Sequence, residues 1–169
     1  MLDKLIGLDQ KIFLAINHFA ASWADPLMRF ISGNIPWILF FVVVIGMAVR
    51  RWWKTDRRTF LVSILALIVV YAATDLLSVH LFKEVFMRLR PCHEPALAGQ
   101  VRLAAHGCGG QYGFVSSHAA NSSGLAVLSI LLLGKRWFTL TAIAWSLIIC
   151  YSRIYLGVHY PGDILGGLL

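Results

Sequence analysis

Residues 60–82, FLVSILALIVVYAATDLLSVHLF, run for 23 positions with no lysine or arginine and one carboxylate, Asp75. A stretch of that length and character is long enough, as a helix, to cross a hydrocarbon core of about 30 Å. Three more apolar spans follow the same logic, at about 35–50, from His118 to about Leu133, and at about 137–157. The first of these is short for a bilayer and is expected to extend at both ends. A fifth starts near Pro161 and has nine residues by Leu169, where a span needs about 20; this reads as a last helix that is truncated. Only 14% of the 169 residues are charged, against about 25% in soluble domains. The sequence therefore predicts an all-α, polytopic transmembrane helix bundle of about five spans, in a single domain covering 1–169.

The N-terminal stretch has a different pattern. Leu5, Leu8, Ile12, Ile16, Phe19 and Trp23 recur every three or four residues, while Asp3, Lys4, Asp9, Gln10, Lys11 and Asn17 lie mainly off that stripe. Residues 1–24 thus read as an amphipathic helix lying in the membrane interface, with Asp25-Pro26 as a break. Asp3 and Asp9 interrupt any signal-peptide pattern.

Net charge is +7, and its distribution orients the bundle. The 50–58 loop, RRWWKTDRR, holds five cations and one anion, and the next even-side turn adds Lys135 and Arg136. By the positive-inside rule both face the cytoplasm. The N-terminal helix, the 83–118 loop and the 151–162 loop then share the opposite, extracytoplasmic face. Lys83, Arg88, Arg90 and Arg102 lie there too, so the bias is not absolute. The excess charge is explained by topology and anionic lipid. The interleaved aromatic and basic residues of nucleic-acid modules are missing, which excludes that class of partner.

Three polar clusters fall on this one face: Lys83-x6-Arg90-Pro91, Ser116-Ser117-His118, and Ser152-Arg153-x5-His159-x3-Asp163. Lys83 and Arg90 are seven residues apart, two turns of a continuing helix, so the spacing predicts a shared face with Pro91 ending the helix. Two cations in one pocket repel unless an anion lies between them, and phosphate fills that role. The plain alternative is a snorkelling basic helix end. Ser116 and Ser117 precede an apolar helix whose first N–H groups suit an anion, although simple serine capping would also place them there. Asp163 follows His159 by four residues, within reach of its ring N–H, which would fix the tautomer and free the other nitrogen to attack phosphorus. The alternative is an Arg153–Asp163 pair closing a loop.

Taken together, K-x6-RP, a serine–x–His element and SR-x5-H-x3-D resemble the type 2 phosphatidic acid phosphatase superfamily, in its integral membrane lipid phosphatase branch. The motifs cover residues 83–163. The resemblance implies His159 as the nucleophile, Asp163 as its orienting partner and His118 as the acid that protonates the leaving oxygen. It implies Lys83, Arg90, Ser116, the Ser117 backbone and Arg153 as the phosphate-binding set, with no metal and no cofactor. The middle motif departs from the family's Pro-Ser-Gly-His, since Val115-Ser116-Ser117-His118 stands here. Serine keeps the N–H that glycine would offer.

Other polar residues invite separate expectations. Asp75, well inside its span, costs about 2.5–3.5 kcal/mol to insert and should face the bundle, be protonated or be paired. His80 either supports Lys83 or forms a buried structural pair. Cys92 and Cys108 share the outer loop with His93 and His106. A disulfide suits an oxidising face and is favoured; free thiols and a zinc site built from those four residues are the alternatives. Cys150 reads as a small core residue.

The expected activity is hydrolysis of a lipid phosphomonoester or diphosphate through a phosphohistidine. The expected place is a bacterial inner membrane, with the site facing the periplasm or outside. The partners are then the bilayer and a lipid phosphate. Undecaprenyl diphosphate is the first choice, ahead of phosphatidylglycerol phosphate, phosphatidic acid and lipid A 1-phosphate. A transporter of phosphate or anionic lipid with a basic pocket is the non-enzymatic alternative. The sequence does not specify oligomeric state.

Overall fold

A computed structural model of the chain describes residues 2–19 and 21–169. Its elements are helical: α1 (Leu2–His18), α2 (Asp25–Ser32), α3 (Asn34–Trp52), α4 (Arg57–Leu77), α5 (Glu84–Phe86), α6 (Ser117–Leu133), α7 (Arg136–Tyr155) and α8 (Pro161–Leu168). Among the described residues the only β pairing is one isolated bridge, Leu89 with Tyr112. Asn34–Trp52, Arg57–Phe86 and Arg136–Tyr155 are long and apolar enough to cross a membrane. α6 is a 17-residue apolar helix, and it packs on α4, α7 and α8 at the centre of the bundle.

The surface identifies the solvent. Leu61, Leu65, Ile68 and Val69 of α4 and Leu140 and Leu147 of α7 stand exposed, which water would penalise and hydrocarbon does not. One buried strip of α6 is correspondingly small and polar. Ala119, Ser122, Ala126 and Ser129 form the buried side of α6, and small side chains let helices approach closely in lipid. Gly124 carries the same contact to α4, where a Cβ would lie 3.1 Å from Thr74 Cγ2 and 3.2 Å from Val70 Cγ1. Farther down, Phe40 stacks on Trp145 with ring centroids 3.9 Å apart. The chain is an integral membrane protein.

Two boundaries differ from the sequence reading. Asp25-Pro26 does not break a helix but begins α2, because proline at the first turn gives up only an N–H that has no intrahelical partner. The break lies just before it. Lys83 and Arg90 do not share a continuing helix either. α4 widens into a π-helical turn over Ser78–Lys83, closes with the single turn α5, and stops at Met87, which is left-handed with φ 45°. Pro91 pushes Arg90 into extended backbone, φ −69° and ψ 155°.

α1 turns its stripe outward. Leu5, Leu8 and Ile12 are exposed, while Phe13 and Asn17 are fully buried against the bundle. Phe13 meets Tyr160 edge to face. Asn17 donates to the carbonyls of Arg102 and Tyr155 and accepts from the Arg102 N–H. The outer loop is folded around such bonds. Arg102 clamps Asp25 with bonds of 2.9 and 2.7 Å, and this pairing holds the Asp25 carboxyl below its ordinary range despite desolvation. A disulfide joins Cys92 to Cys108, which removes both thiolates as zinc ligands. At the other end, Arg51 Nη1 donates to Leu133 O at 2.6 Å, so the two basic loops lie together.

Candidate active site

At the loop-rich end a cavity of about 490 Å³ opens among α3, α4, α6 and α7. Lys83, Arg90, Ser117, His118, Arg153 and His159 all line it. Six of the eight residues expected from the three motifs therefore converge, and each of the three motifs contributes two of them. Asp163 stands directly behind His159. Ser116 does not reach the cavity wall: its side chain is fully buried with an unpartnered Oγ, and its N–H donates to Asp163 O. It occupies the N-cap position of α6 without a side-chain capping bond.

Arg90 is delivered by backbone pairing. Its N–H donates to Gln111 O, and Gly113 N–H donates to Arg88 O, flanking the Leu89–Tyr112 bridge. The guanidinium then points inward, 3.4 Å from Val158 O and 3.2 Å from His159 Nε2. Arginine has donors only, so Nε2 accepts and the ring proton resides on Nδ1. Nδ1 faces Asp163 Oδ2 at 3.3 Å. The geometry thus fixes the tautomer and leaves Nε2 unprotonated at the cavity, its lone pair taken up by Arg90. Burial, followed by Arg90, Arg153 and Lys83, holds the His159 imidazole well below its usual pKa. An imidazole held neutral in this way keeps an unprotonated ring nitrogen, which is what nucleophilic attack requires.

Asp163 is itself held in place. Oδ2 also accepts the Tyr160 N–H at 3.0 Å, and Oδ1 accepts Arg88 Nη1 at 2.9 Å. Arg88 reaches on to Asp9 of α1 at 2.6 Å, and Asp9 accepts the Gly162 N–H at 2.8 Å. Gly113 makes room for this network, because a Cβ there would lie 2.9 Å from Asp163 Oδ2. Arg88 and Asp9 escaped the sequence reading as site residues. No local spacing links them to Asp163, which is 75 residues beyond Arg88.

The remaining cations surround the open space. Lys83 Nζ donates to Ser117 Oγ at 2.5 Å, and Ser78 Oγ lies 2.6 Å from the same hydroxyl. Arg153 donates from Nη1 to Ser32 Oγ, while its buried Nε has no partner. Arg153 itself lines the cavity, and an anion bound there would give its guanidinium a charged partner. His118, in the first turn of α6, packs edge-on to Trp37 with centroids 6.0 Å apart. Asp75, expected to face the bundle, lines the cavity with Asn121. His80 fits neither expectation, since it pairs with Glu84 at 2.9 Å in the open. Among the described residues no three His, Cys, Asp or Glu side chains gather as a metal site would require.

A family model described as the PAP2 superfamily matches residues 63–169. A lipid A 4'-phosphatase of Bacteroides thetaiotaomicron is 30% identical, across 100% of this chain and 74% of that protein. An undecaprenyl-diphosphatase of Sulfolobus acidocaldarius is 25% identical, across 99% of this chain and 75% of its own length. Among solved structures, the PAP2-type phosphatidylglycerolphosphate phosphatase from Bacillus subtilis superposes with a TM-score of 0.69 at 26% identity, covering 98% of this chain and 79% of the other.

Proposed function

The chain belongs to the PAP2 superfamily and is a membrane lipid phosphatase, and we propose that it works through a phosphohistidine formed on His159. The observation that carries this reading is an unprotonated His159 Nε2, with Nδ1 held by Asp163, at the wall of a cavity holding three cations; a bound phosphate would draw Arg90 off Nε2 and free its lone pair for attack. Nε2 attacks phosphorus as the bond to the leaving oxygen breaks, and His118 gives that oxygen its proton. Water then attacks the phosphohistidine, returning a proton to His118 and releasing phosphate with His159 restored. Lys83, Arg90, Ser117 and Arg153 hold the phosphoryl oxygens throughout. Three cations supply the charge that a metal would otherwise bring, so activity persists in EDTA. Complete loss that only Mg²⁺ or Zn²⁺ restores would refute this.

The site faces the periplasm or outside of a bacterial inner membrane in this reading. Support comes from the two basic loops, which sit together at the end opposite the cavity. Cysteine introduced at Thr55 in a variant without native thiols should resist an impermeant reagent applied from outside. The cavity's apolar side, with Trp37, Ile38, Phe41 and Tyr71, comes from α3 and α4 and suits a substrate arriving from the bilayer.

On head group, we place a lipid A phosphate ahead of undecaprenyl diphosphate, the substrate expected from outer-leaflet access alone. The support is the higher identity over the whole chain to a lipid A 4'-phosphatase, 30% against 25%. The test is phosphate release in bilayers from lipid A, undecaprenyl diphosphate, phosphatidylglycerol phosphate and phosphatidic acid. A kcat/KM for lipid A more than tenfold below any competitor removes it as the leading substrate.

A further inference from the structure

Resting on the phosphatase reading above, we propose that Asp75 and Asn121 form a recognition pair for a hydroxyl or amide N–H on the leaving group. The enzyme then selects lipid phosphates whose phosphate is carried on a polyol or an acylated aminosugar.

Asp75 is out of keeping with a cavity built for an anion. It lines the same space as Lys83, Arg90 and Arg153 and is exposed to it. Yet among the described residues it takes part in none of the ion pairs, which use Asp9, Asp25, Glu84 and Asp163. Its side-chain bond is to Asn121, whose Nδ2 lies 3.3 Å from Oδ1. Thr74 Oγ1 sits 2.6 Å from Asn121 Oδ1, which holds the amide with its N–H side toward Asp75. An ionised carboxylate has acceptors only. It repels phosphoryl oxygens and attracts an O–H or N–H.

Placement along α6 says which part of the substrate it meets. His118 and Asn121 are three residues apart on one helix face, one turn from each other. His118 protonates the leaving oxygen in the proposed reaction. The group attached to that oxygen therefore passes Asn121 and Asp75 as it departs. A sugar or glycerol unit offers hydroxyl or amide donors there. The leaving group of a polyprenyl diphosphate is an ionised phosphate, which has like charge to Asp75 and brings no donor when fully ionised. A carboxylate kept inside a membrane span, with no direct ion pair among the described residues, marks a functional position.

The test uses the full chain in nanodiscs with two substrates that differ by one hydroxyl: 1-oleoyl lysophosphatidic acid and its 2-deoxy analogue, oleoyl propanediol phosphate. A hydrogen bond to a charged acceptor corresponds to about tenfold to a hundredfold discrimination, so wild type should prefer the hydroxylated substrate by about tenfold or more in kcat/KM. In Asp75→Ala the ratio should fall below about threefold. Asp75→Asn is isosteric, keeps an oxygen for Asn121 and guards against misfolding; it should also lower the ratio. A wild-type ratio within threefold of unity overturns the proposal. So does an equal loss on both substrates in the variants, which would make Asp75 a support for Lys83. If wild type releases phosphate from neither of these lipids nor from lipid A, the phosphatase reading itself fails; release from lipid A alone overturns the polyol arm of the proposal, and both outcomes are distinct from a lost preference.

Discussion

Arg88 donates to the one oxygen of Asp163 that does not face His159, at 2.9 Å. It also bonds Asp9 and lies over the Tyr160 ring, 4.2 Å from its centroid. The Asp163 side chain is fully buried, so removing Arg88 takes away its ion-pair partner and leaves only the bonds from Tyr160 N–H and His159. Breaking a buried pair in this way typically costs about 3–5 kcal/mol. Arg88→Ala should lower kcat by about tenfold to a hundredfold through a misdirected imidazole, with KM changed less. Arg88→Lys should recover part of kcat, because one bond to Asp163 can be rebuilt. A purely structural role would show as reduced folded protein with an unchanged kcat per folded molecule.

The two histidines should be separable by leaving group. His159→Ala removes the attacking nitrogen and should abolish phosphate release from every substrate while the protein stays folded. Activity within tenfold of wild type would eliminate the phosphohistidine route. His118→Ala should cost about 10²–10⁴-fold on lipid substrates, and much less on an activated ester whose leaving group needs no proton. Equal losses on both ester types would take the acid role from His118.

Acid should reach His159 late. Its pKa is depressed below the ordinary 6.5, first by burial and then by Arg90, Arg153 and Lys83. In the unfolded chain the ring protonates near 6.5, while the folded ring stays neutral below that pH. The unfolded state then binds more protons, so His159's contribution to stability is full above pH 6.5 and declines as pH falls through 6.5 toward the folded value. Ring ¹⁵N shifts of His159 should still report the neutral Nδ1–H tautomer at pH 6. Protonation with a midpoint at or above 6.5 would contradict the buried cationic setting.

Much of this molecule was legible before its structure. The spans were readable because a lipid-facing helix must be apolar over about 20 residues, and α3, α4 and α7 satisfy that plainly. The set of residues that lines the cavity was readable because Lys83, Arg90, His118, Arg153 and His159 lie in short motifs at the ends of those spans. The path of the backbone between them was not. The π-helical turn before Lys83 and the left-handed Met87 come from how the loop docks, so heptad arithmetic misjudged how Lys83 and Arg90 meet. Ser116 and Ser117 are adjacent in sequence, yet one is walled off and the other binds Lys83. The layer behind the site was hidden for a related reason. Arg88, Asp9 and Gly113 act across the fold on Asp163, and no periodicity records a contact between distant loops.

The outer loop offers a last test of how Arg90 is held. Cys92 lies two residues after Arg90, and Cys108 lies just before Gly109, which packs on the Arg90 guanidinium closely enough that a Cβ would sit 3.7 Å from Cζ. The disulfide thus ties together the segments on both sides of that side chain. It spans a sequence separation of 16, and closing a loop of that size removes about 3 kcal/mol of denatured-state entropy. A Cys92→Ser/Cys108→Ser variant should be less stable by about 2–4 kcal/mol. Its effect on catalysis should fall mainly on KM, because a wandering Arg90 weakens the grip on phosphate before it disturbs the Asp163–His159 contact. Dithiothreitol on the wild-type protein should reproduce both changes and leave the double variant as it was. Unchanged KM and thermal midpoint in the variant would mean that the pairing of residues 88–90 with 111–113 holds Arg90 unaided.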